Sequence, residues 1–227
     1  MKLLAIETST PACSAALWVD GEISERFQMA PREHTRLILP MIDDLLHEAD
    51  LLVTQLDAIA FGCGPGSFTG VRIATGVVQG IALGADVPVL PVSTLASMAQ
   101  FSFNRNQHDL VFTALDARMG EIFWAVYQKN SQGLAQLVGE EAVTPAEAIV
   151  FPEGKGWGIG SGWGVYDAQL SARLGAQVET VDVDVWPHAQ TVVQLATEDY
   201  RQGRAVAPEC ALPVYLRNKV AKKESER

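Results

Sequence analysis

The residue types best placed to do chemistry lie in Gly62-Cys63-Gly64-Pro65-Gly66-Ser67-Phe68-Thr69-Gly70-Val71-Arg72-Ile73. A short apolar run, Ala58 to Phe61, enters this stretch, and a glycine-studded helical segment leaves it. That order reads as strand, tight loop, helix start. Glycines at 62, 64, 66 and 70 permit backbone angles closed to other residues and let a ligand or another backbone come close. Ser67 and Thr69 can accept hydrogen bonds from the free N–H groups of the following helix, as N-caps do. A helix N-terminus behind such a loop offers phosphate unpaired donors and a favourable dipole. The Gly-Lys-Ser/Thr ending of a Walker A loop is missing. Two readings stand: a phosphate cradle with Gly66 and Ser67 as candidate contacts, and a tight strand-to-helix turn.

Other candidates carry the same pairing of chemistry and structure. Glu7 and Asp116 sit at the ends of equivalent strands. In a two-lobed nucleotide fold, acids there can hold a metal or order a water near phosphate. The structural counterpart is a satisfied cap or salt bridge, and Arg118, two residues from Asp116, is placed to form one. The segment Gly158 to Gly164 can pass under an adenine, or form a turn with an exposed Trp163. Cys63 precedes a helix start, where a thiolate is favoured, but no Cys/His pairing is readable and a small residue filling a tight loop is expected. His34, His47, His108 and His188 form no HExxH or HxxxH pattern, so surface or capping roles are expected.

The helix leaving the glycine loop carries Gly76, Gly80 and Gly84 on one face. Each glycine costs a helix about 0.8–1 kcal/mol relative to alanine, roughly 3 kcal/mol for three. A stripe of this kind lets a neighbouring helix approach closely. Two readings stand: the stripe serves both the 36–49 helix of the same lobe and a helix of another subunit, or it packs within the lobe only.

The elements that position these residues follow from periodicity. Leu3 to Ile6 reads as a buried strand and Cys13 to Val19 as a second. Asp20-Gly21 is a hairpin turn leading to a third strand, Glu22 to Met29. Leu37, Ile38, Met41, Ile42, Leu45, Leu46 and Ala49 repeat as an amphipathic helix, which Pro40 must kink unless it sits near the first turn. Ala58 to Phe61 is a strand, 70–84 a helix, Val87 to Val92 a strand and 94–102 a helix. The order then restarts. Strands are predicted at Leu110 to Leu115, Glu121 to Tyr127 and Leu134 to Val138, with turns at Gly120 and Ser131 to Gly133. Pro145 to Val150 starts a helix, Gly158 to Gly160 lies in a strand or its end loop, and Val165 to Leu174 and Ala189 to Gln202 are helical. Two α/β lobes with mixed sheets result, residues 1–103 and 104–227, with the boundary between Phe101 and Asp109. Whether the last helix and the tail return to the first lobe stays open.

Composition narrows the classes. Apolar residues make up 48% and charged residues 19% of 227, which supports a sizeable core and excludes wholesale disorder. The net charge of −10 argues against a broad grip on nucleic acid or anionic membrane. Residues 216–227 run the other way, with Arg217, Lys219, Lys222, Lys223 and Arg227 against Glu224 and Glu226. Such a basic tail can touch RNA or an acidic partner, or simply be solvated. Cys13, Cys63 and Cys210 are scattered and lack metal-ligand spacing, so no zinc site is suggested and a reducing, cytoplasmic setting is expected. The N-terminal apolar run is too short for a signal peptide, and no stretch is expected to approach the length of a membrane span.

Several of these segments together resemble the bacterial TsaB (YeaZ) family: Leu-Ala-Ile-Glu-Thr-Ser-Thr (4–10), Arg32-Glu33-His34-Thr35, Gly64 to Ile73, Leu115-Asp116-Ala117-Arg118 with Gly120-Glu121, and Pro213-Val214-Tyr215-Leu216-Arg217. The resemblance runs essentially end to end. It implies the two-lobed actin, hexokinase and Hsp70-like (ASKHA, ribonuclease H-like) duplicated fold, in agreement with the two-copy reading. It implies a part in making threonylcarbamoyladenosine beside the anticodon of tRNAs that read codons beginning with A. The catalytic member of that system is a larger metal-dependent paralogue, TsaD, whose HxxxH pair falls here on Thr94 and Met98, neither a usable ligand. The first phosphate loop is Glu7-Thr8-Ser9-Thr10 in place of Asp-x-Gly-Thr. The resemblance therefore implies a fold kept and a catalytic site lost. The chain is then a non-catalytic subunit that binds and activates the TsaD-like enzyme. A TsaE-like ATPase joins the complex, and a homodimer forms when TsaD is absent. The partner face maps onto 34–49 and 70–84, with His34, Leu37, Ile38, Met41, Arg72, Gly76 and Gly80 as its candidates. No cofactor of its own is implied. ATP is used by the complex, weak or interfacial nucleotide binding would involve Glu7, Gly66, Ser67 and Asp116, and tRNA is met indirectly or through the basic tail. The competing reading is an independent ATPase or phosphotransferase of the same fold that works through Glu7 and Asp116. A metallopeptidase is disfavoured by the missing histidines.

Overall fold

In the computed structural model, which describes residues 1–105 and 108–217, the first sheet is built around β1 (Lys2–Glu7). On one side it pairs antiparallel with β2 (Ala12–Val19), which turns at Asp20-Gly21 into β3 (Glu22–Met29). Asp20 and Gly21 take positive φ values of 49° and 111°, as the tight hairpin requires. On the other side β4 (Ala58–Gly64) runs parallel to β1, and β5 (Val89–Ser93) parallel to β4. The sheet order is β3-β2-β1-β4-β5.

The period of two along β1 divides its side chains between two cores. Leu4 and Ile6 lie under α1 (His34–Glu48) and α2 (Phe68–Ala85). Leu3 and Ala5 lie under α6 (Ala189–Arg201), the last long helix, which returns to cover the first sheet. Pro40 sits inside α1, past its first turn.

The second sheet repeats the plan in the order β10-β9-β6-β7-β8. Its strands are β6 (Leu110–Asp116), β7 (Glu121–Lys129), β8 (Ala135–Pro145), β9 (Gly156–Ile159) and β10 (Val178–Asp182). Met98, Ala99 and Phe103 of α3 (Thr94–Arg105) pack on one face, with Val111 and Leu115. Short α4 (Ser161–Val165) and α5 (Asp167–Leu174) cover the other, over Phe112 and Ala114. Helices α3 and α6 also pack against each other between the sheets.

Three expectations need correction, and one strand was missed. The third strand of the second half continues to Pro145, so only a 3-10 turn, Ala146–Ala148, stands where a helix was expected. Strand β10 was not anticipated, because it is a largely exposed edge with no buried residue to mark it. Trp163 is buried, at 2% exposure, and its indole N–H donates to the Phe112 carbonyl at 2.9 Å. Finally, α2 is 18 residues long with mean hydropathy 1.3, long and apolar enough to cross a membrane by those measures alone. Its Val71, Ala74, Val78 and Ala82 are instead buried in this fold, which accounts for the hydropathy.

Candidate functional site

The glycine loop enters α2 as a helix cap. Ser67 is the N-cap, and its hydroxyl accepts from the Gly70 N–H at 3.3 Å. Thr69, the other N-cap expected, lies inside the helix. The loop also closes on the turn between β1 and β2. The Ser67 N–H donates to the Ser9 carbonyl at 2.7 Å, and the Thr8 hydroxyl donates to the Gly70 carbonyl at 2.8 Å. A Cβ on Gly66 would stand 2.4 Å from the Ser9 oxygen, and one on Gly70 2.1 Å from the Thr8 oxygen. These two glycines are therefore demanded by backbone against backbone, the tight-turn reading.

Glu7 lies beneath that turn, wholly buried. Its Oε1 accepts from the Ser9 N–H at 2.6 Å, and its Oε2 takes a long 3.5 Å bond from the Thr94 hydroxyl. A Cβ on Gly62 would come within 1.8 Å of Oε2, so β4 leaves that position bare to seat the carboxylate. Burial pushes the carboxyl pKa up, against the pull of the Ser9 and Thr94 hydrogen bonds. Placed so, Glu7 is sealed from the cleft described below, which favours its structural reading over the one that set it beside phosphate. Burial, with help from nearby Glu141 and Glu7, pushes the Cys63 thiol up to about 12, the opposite of a helix-start thiolate.

Above the turn a cleft of about 1010 Å³ opens between the lobes. Gly66 and Ser67 face it from one side and Asp116 from the other. The Asp116 carboxylate is already engaged. Oδ1 accepts from the Arg118 N–H at 2.8 Å and the Tyr166 hydroxyl at 3.1 Å, and Oδ2 lies 3.2 Å from the Arg118 guanidinium. This is the satisfied cap and ion pair. The glycine run at 158–164 is filled by its own tryptophan: a Cβ on Gly158 would be 2.6 Å from the Trp163 ring.

The histidines are more structural than expected. Nε2 of buried His34 lies 2.8 Å from the Thr10 carbonyl and 3.2 Å from that of Ala12, so this nitrogen carries the proton and ties α1 to the β1–β2 turn. Buried His108 stacks on Trp157 at 4.3 Å and meets the Ser102 hydroxyl at 3.0 Å, and burial lowers its pKa. His188 is held between the Phe27 and Phe101 rings at 4.1 and 4.0 Å, with Nδ1 3.1 Å from a Glu25 oxygen. His47 is exposed.

The candidate partner face splits in two. Ile38 (0% exposed) and Met41 (8%) point into the first core, and Leu37 packs half-buried beside them. These positions form the apolar stripe that holds α1 on its sheet, so they are not free for a partner. Gly76, Gly80 and Gly84 are exposed, and among the described residues a Cβ on any of them would meet nothing within 4 Å. The expected use of this stripe against α1 is therefore not found, and the face stands open. Arg72 continues it. Its guanidinium lies 3.2 Å from the Phe68 ring centroid and 5.0 Å from that of Tyr215, and it donates to the Phe68 carbonyl.

A return of the tail to the first lobe was left open by the sequence, and the structure shows it as a C-terminal strap whose anchoring residues the sequence did not mark. Past a 3-10 turn at Pro208–Cys210, Ala211 is buried and its carbonyl accepts from Gln79 at 2.9 Å. The Val214 N–H donates to the Cys63 carbonyl at 2.7 Å. Arg217 then reaches the second lobe, donating to the Ala117 carbonyl at 2.8 Å and to Glu121 at 2.5 Å. The apolar run Val214-Tyr215-Leu216 was the available signal. Lys219, Lys222, Lys223 and Arg227 of the basic tail lie outside the described residues.

Residues 28–224 match the family described as TsaD, tRNA N6-adenosine threonylcarbamoyltransferase. The tRNA threonylcarbamoyladenosine biosynthesis protein TsaB of Escherichia coli is 43% identical, over 99% of this chain and 98% of its own length. Its Haemophilus influenzae counterpart is 38% identical over 99% and 97%. The solved structure of YeaZ from Pseudomonas aeruginosa superposes with a TM-score of 0.88 at 44% identity, covering 95% of this chain and 99% of that one.

Proposed function

Because the chain belongs to the TsaB family of tRNA threonylcarbamoyladenosine biosynthesis proteins, we propose that it is the non-catalytic subunit that binds and activates the TsaD-type enzyme of that pathway. The bare glycine stripe on α2 carries this reading. Gly76, Gly80 and Gly84 weaken the helix by roughly 3 kcal/mol, and nothing among the described residues fills the space they leave. A partner helix seated there would repay that cost by close packing. Arg72 and exposed Leu83 border the stripe, whereas His34, Ile38 and Met41 contribute only by holding α1 in place.

The absence of own catalysis is supported by what occupies the equivalent positions. Thr94 and Met98, where TsaD carries its histidine pair, are both fully buried, and the Thr94 hydroxyl is bonded to that of Ser9 at 2.9 Å. The independent ATPase reading asks Glu7 and Asp116 to manage a metal near phosphate. Glu7 is sealed and Asp116 is bound to Arg118 and Tyr166. ATP is then consumed elsewhere in the complex, a TsaE-type ATPase joins it, and a second copy of this chain takes the stripe when the TsaD-type enzyme is absent.

The test is co-elution with the TsaD-type enzyme, together with labelled-threonine incorporation into unmodified tRNA. Gly76→Glu and Gly80→Glu should each abolish both while leaving the melting curve of the isolated chain intact. Undiminished co-elution with either variant would remove the docking assignment.

A further inference from the structure

On a body of net charge −10, the interlobe cleft gathers cations. Four arginines line it, each from a different segment: Arg32 before α1, Arg72 on α2, Arg118 in the β6–β7 turn and Arg217 on the strap. The acid on its wall is Asp116, already neutralised by Arg118. Arg217 is paired with Glu121. Among the described residues, no carboxylate lies within ion-pair distance of Arg32 or Arg72, so their charge faces the cleft uncompensated.

Aromatic surface accompanies this charge. Phe68 and Tyr215 line the same cleft at 62% and 47% exposure, with ring centroids 6.2 Å apart and the Arg72 guanidinium over the Phe68 face. Exposed rings beside planar guanidinium groups are the elements on which unpaired bases stack, while the cations track the phosphates between them. We infer that this cleft binds a short single-stranded RNA segment, its bases on Phe68 and Tyr215 and its phosphates toward Arg32 and Arg72.

Two alternatives fit the same surface less well. A magnesium nucleotide wants a carboxylate to share its metal, and both nearby acids are committed or sealed. An acidic peptide would satisfy the arginines but give the two rings nothing to stack on. The inference goes beyond the docking role and does not depend on it, since the isolated chain suffices to test it.

The experiment is fluorescence anisotropy of a labelled, unstructured RNA heptamer titrated with the full chain. Saturable binding is expected, weakening about sevenfold between 50 and 200 mM salt if two phosphates are neutralised. Phe68→Ala should weaken it about fivefold or more, the lower end of a lost base stack, and Arg32→Gln should weaken it and flatten the salt dependence. Both residues are exposed, so unchanged melting curves would show that the variants remain folded. Unlabelled duplex RNA, Mg-ATP and polyglutamate should fail to displace the heptamer at equal concentration. No saturable binding, unchanged affinity in both variants, or displacement by duplex RNA, Mg-ATP or polyglutamate would overturn the assignment. Each of these outcomes leaves co-elution with the TsaD-type enzyme unaffected, so the two readings fail separately.

Discussion

Glu7 shows how one residue can keep a place in a motif and lose its accessibility. It ends β1 at the base of the cleft, yet its carboxylate turns into the space left by Gly62 and is fully buried. Desolvation raises its folded pKa above the ordinary value of 4.5. The native state therefore binds the proton more tightly than the unfolded chain, and ionised Glu7 works against stability at neutral pH. That penalty is present above the raised pKa and is lifted as pH falls through it. Glu7→Gln keeps an acceptor for the Ser9 N–H and presents an amide donor to Thr94. It should melt at a higher temperature than the parent at pH 7.5, with the difference shrinking as pH falls toward 4.5. A thermal-melt series across pH checks this, and a pH-independent difference would contradict the assigned cause.

At the scale of elements, α2 serves two masters. Its buried side, Val71, Ala74, Val78 and Ala82, is an ordinary core stripe. Its glycine side packs against nothing among the described residues. Replacing Gly80 with alanine in open space should therefore stabilise the isolated chain by about 0.8–1 kcal/mol, or about 2–4 °C in Tm. The same methyl should hold a partner helix away and weaken co-elution with the TsaD-type enzyme. A variant more stable alone and poorer in the complex would separate helix propensity from docking. Helix α1 was legible as a helix from its repeat, but Ile38 and Met41 were assigned to the wrong audience. An apolar stripe looks the same in sequence whether it faces a sheet or another protein.

At the scale of the molecule, the lobes are held by chain that crosses between them. Helix α6 lies on the first sheet although the second sheet precedes it. Glu141 of β8 accepts from the hydroxyls of Ser93 in β5 and Tyr127 in β7. The strap is tied to β4 through Val214 and to the β6–β7 turn through Arg217. Hydrogen bonds from a charged donor are worth about 1.5–3 kcal/mol each. Arg217→Ala should thus loosen the strap end and speed amide exchange in residues 208–217 by about tenfold or more, an opening cost lowered by about 1.4 kcal/mol. Hydrogen-exchange mass spectrometry on that peptide provides the check. Unchanged protection there would mean that the Val214 and Gln79 bonds secure the strap without Arg217.

The alternation of strands and helices, the duplicated plan and the family motifs were determined by sequence alone. Periods of two and of about 3.6, hairpin turns and N-caps are local, and each is written within a few residues. Tertiary structure decided the direction of the Glu7 carboxylate, the burial of Trp163 and the structural work of His34, His108 and His188. It also decided the gathering of four arginines into one cleft. These depend on contacts between distant segments, such as Arg217 with Ala117 one hundred positions away. A local pattern states which residues share a face, but only the folded chain supplies what covers that face.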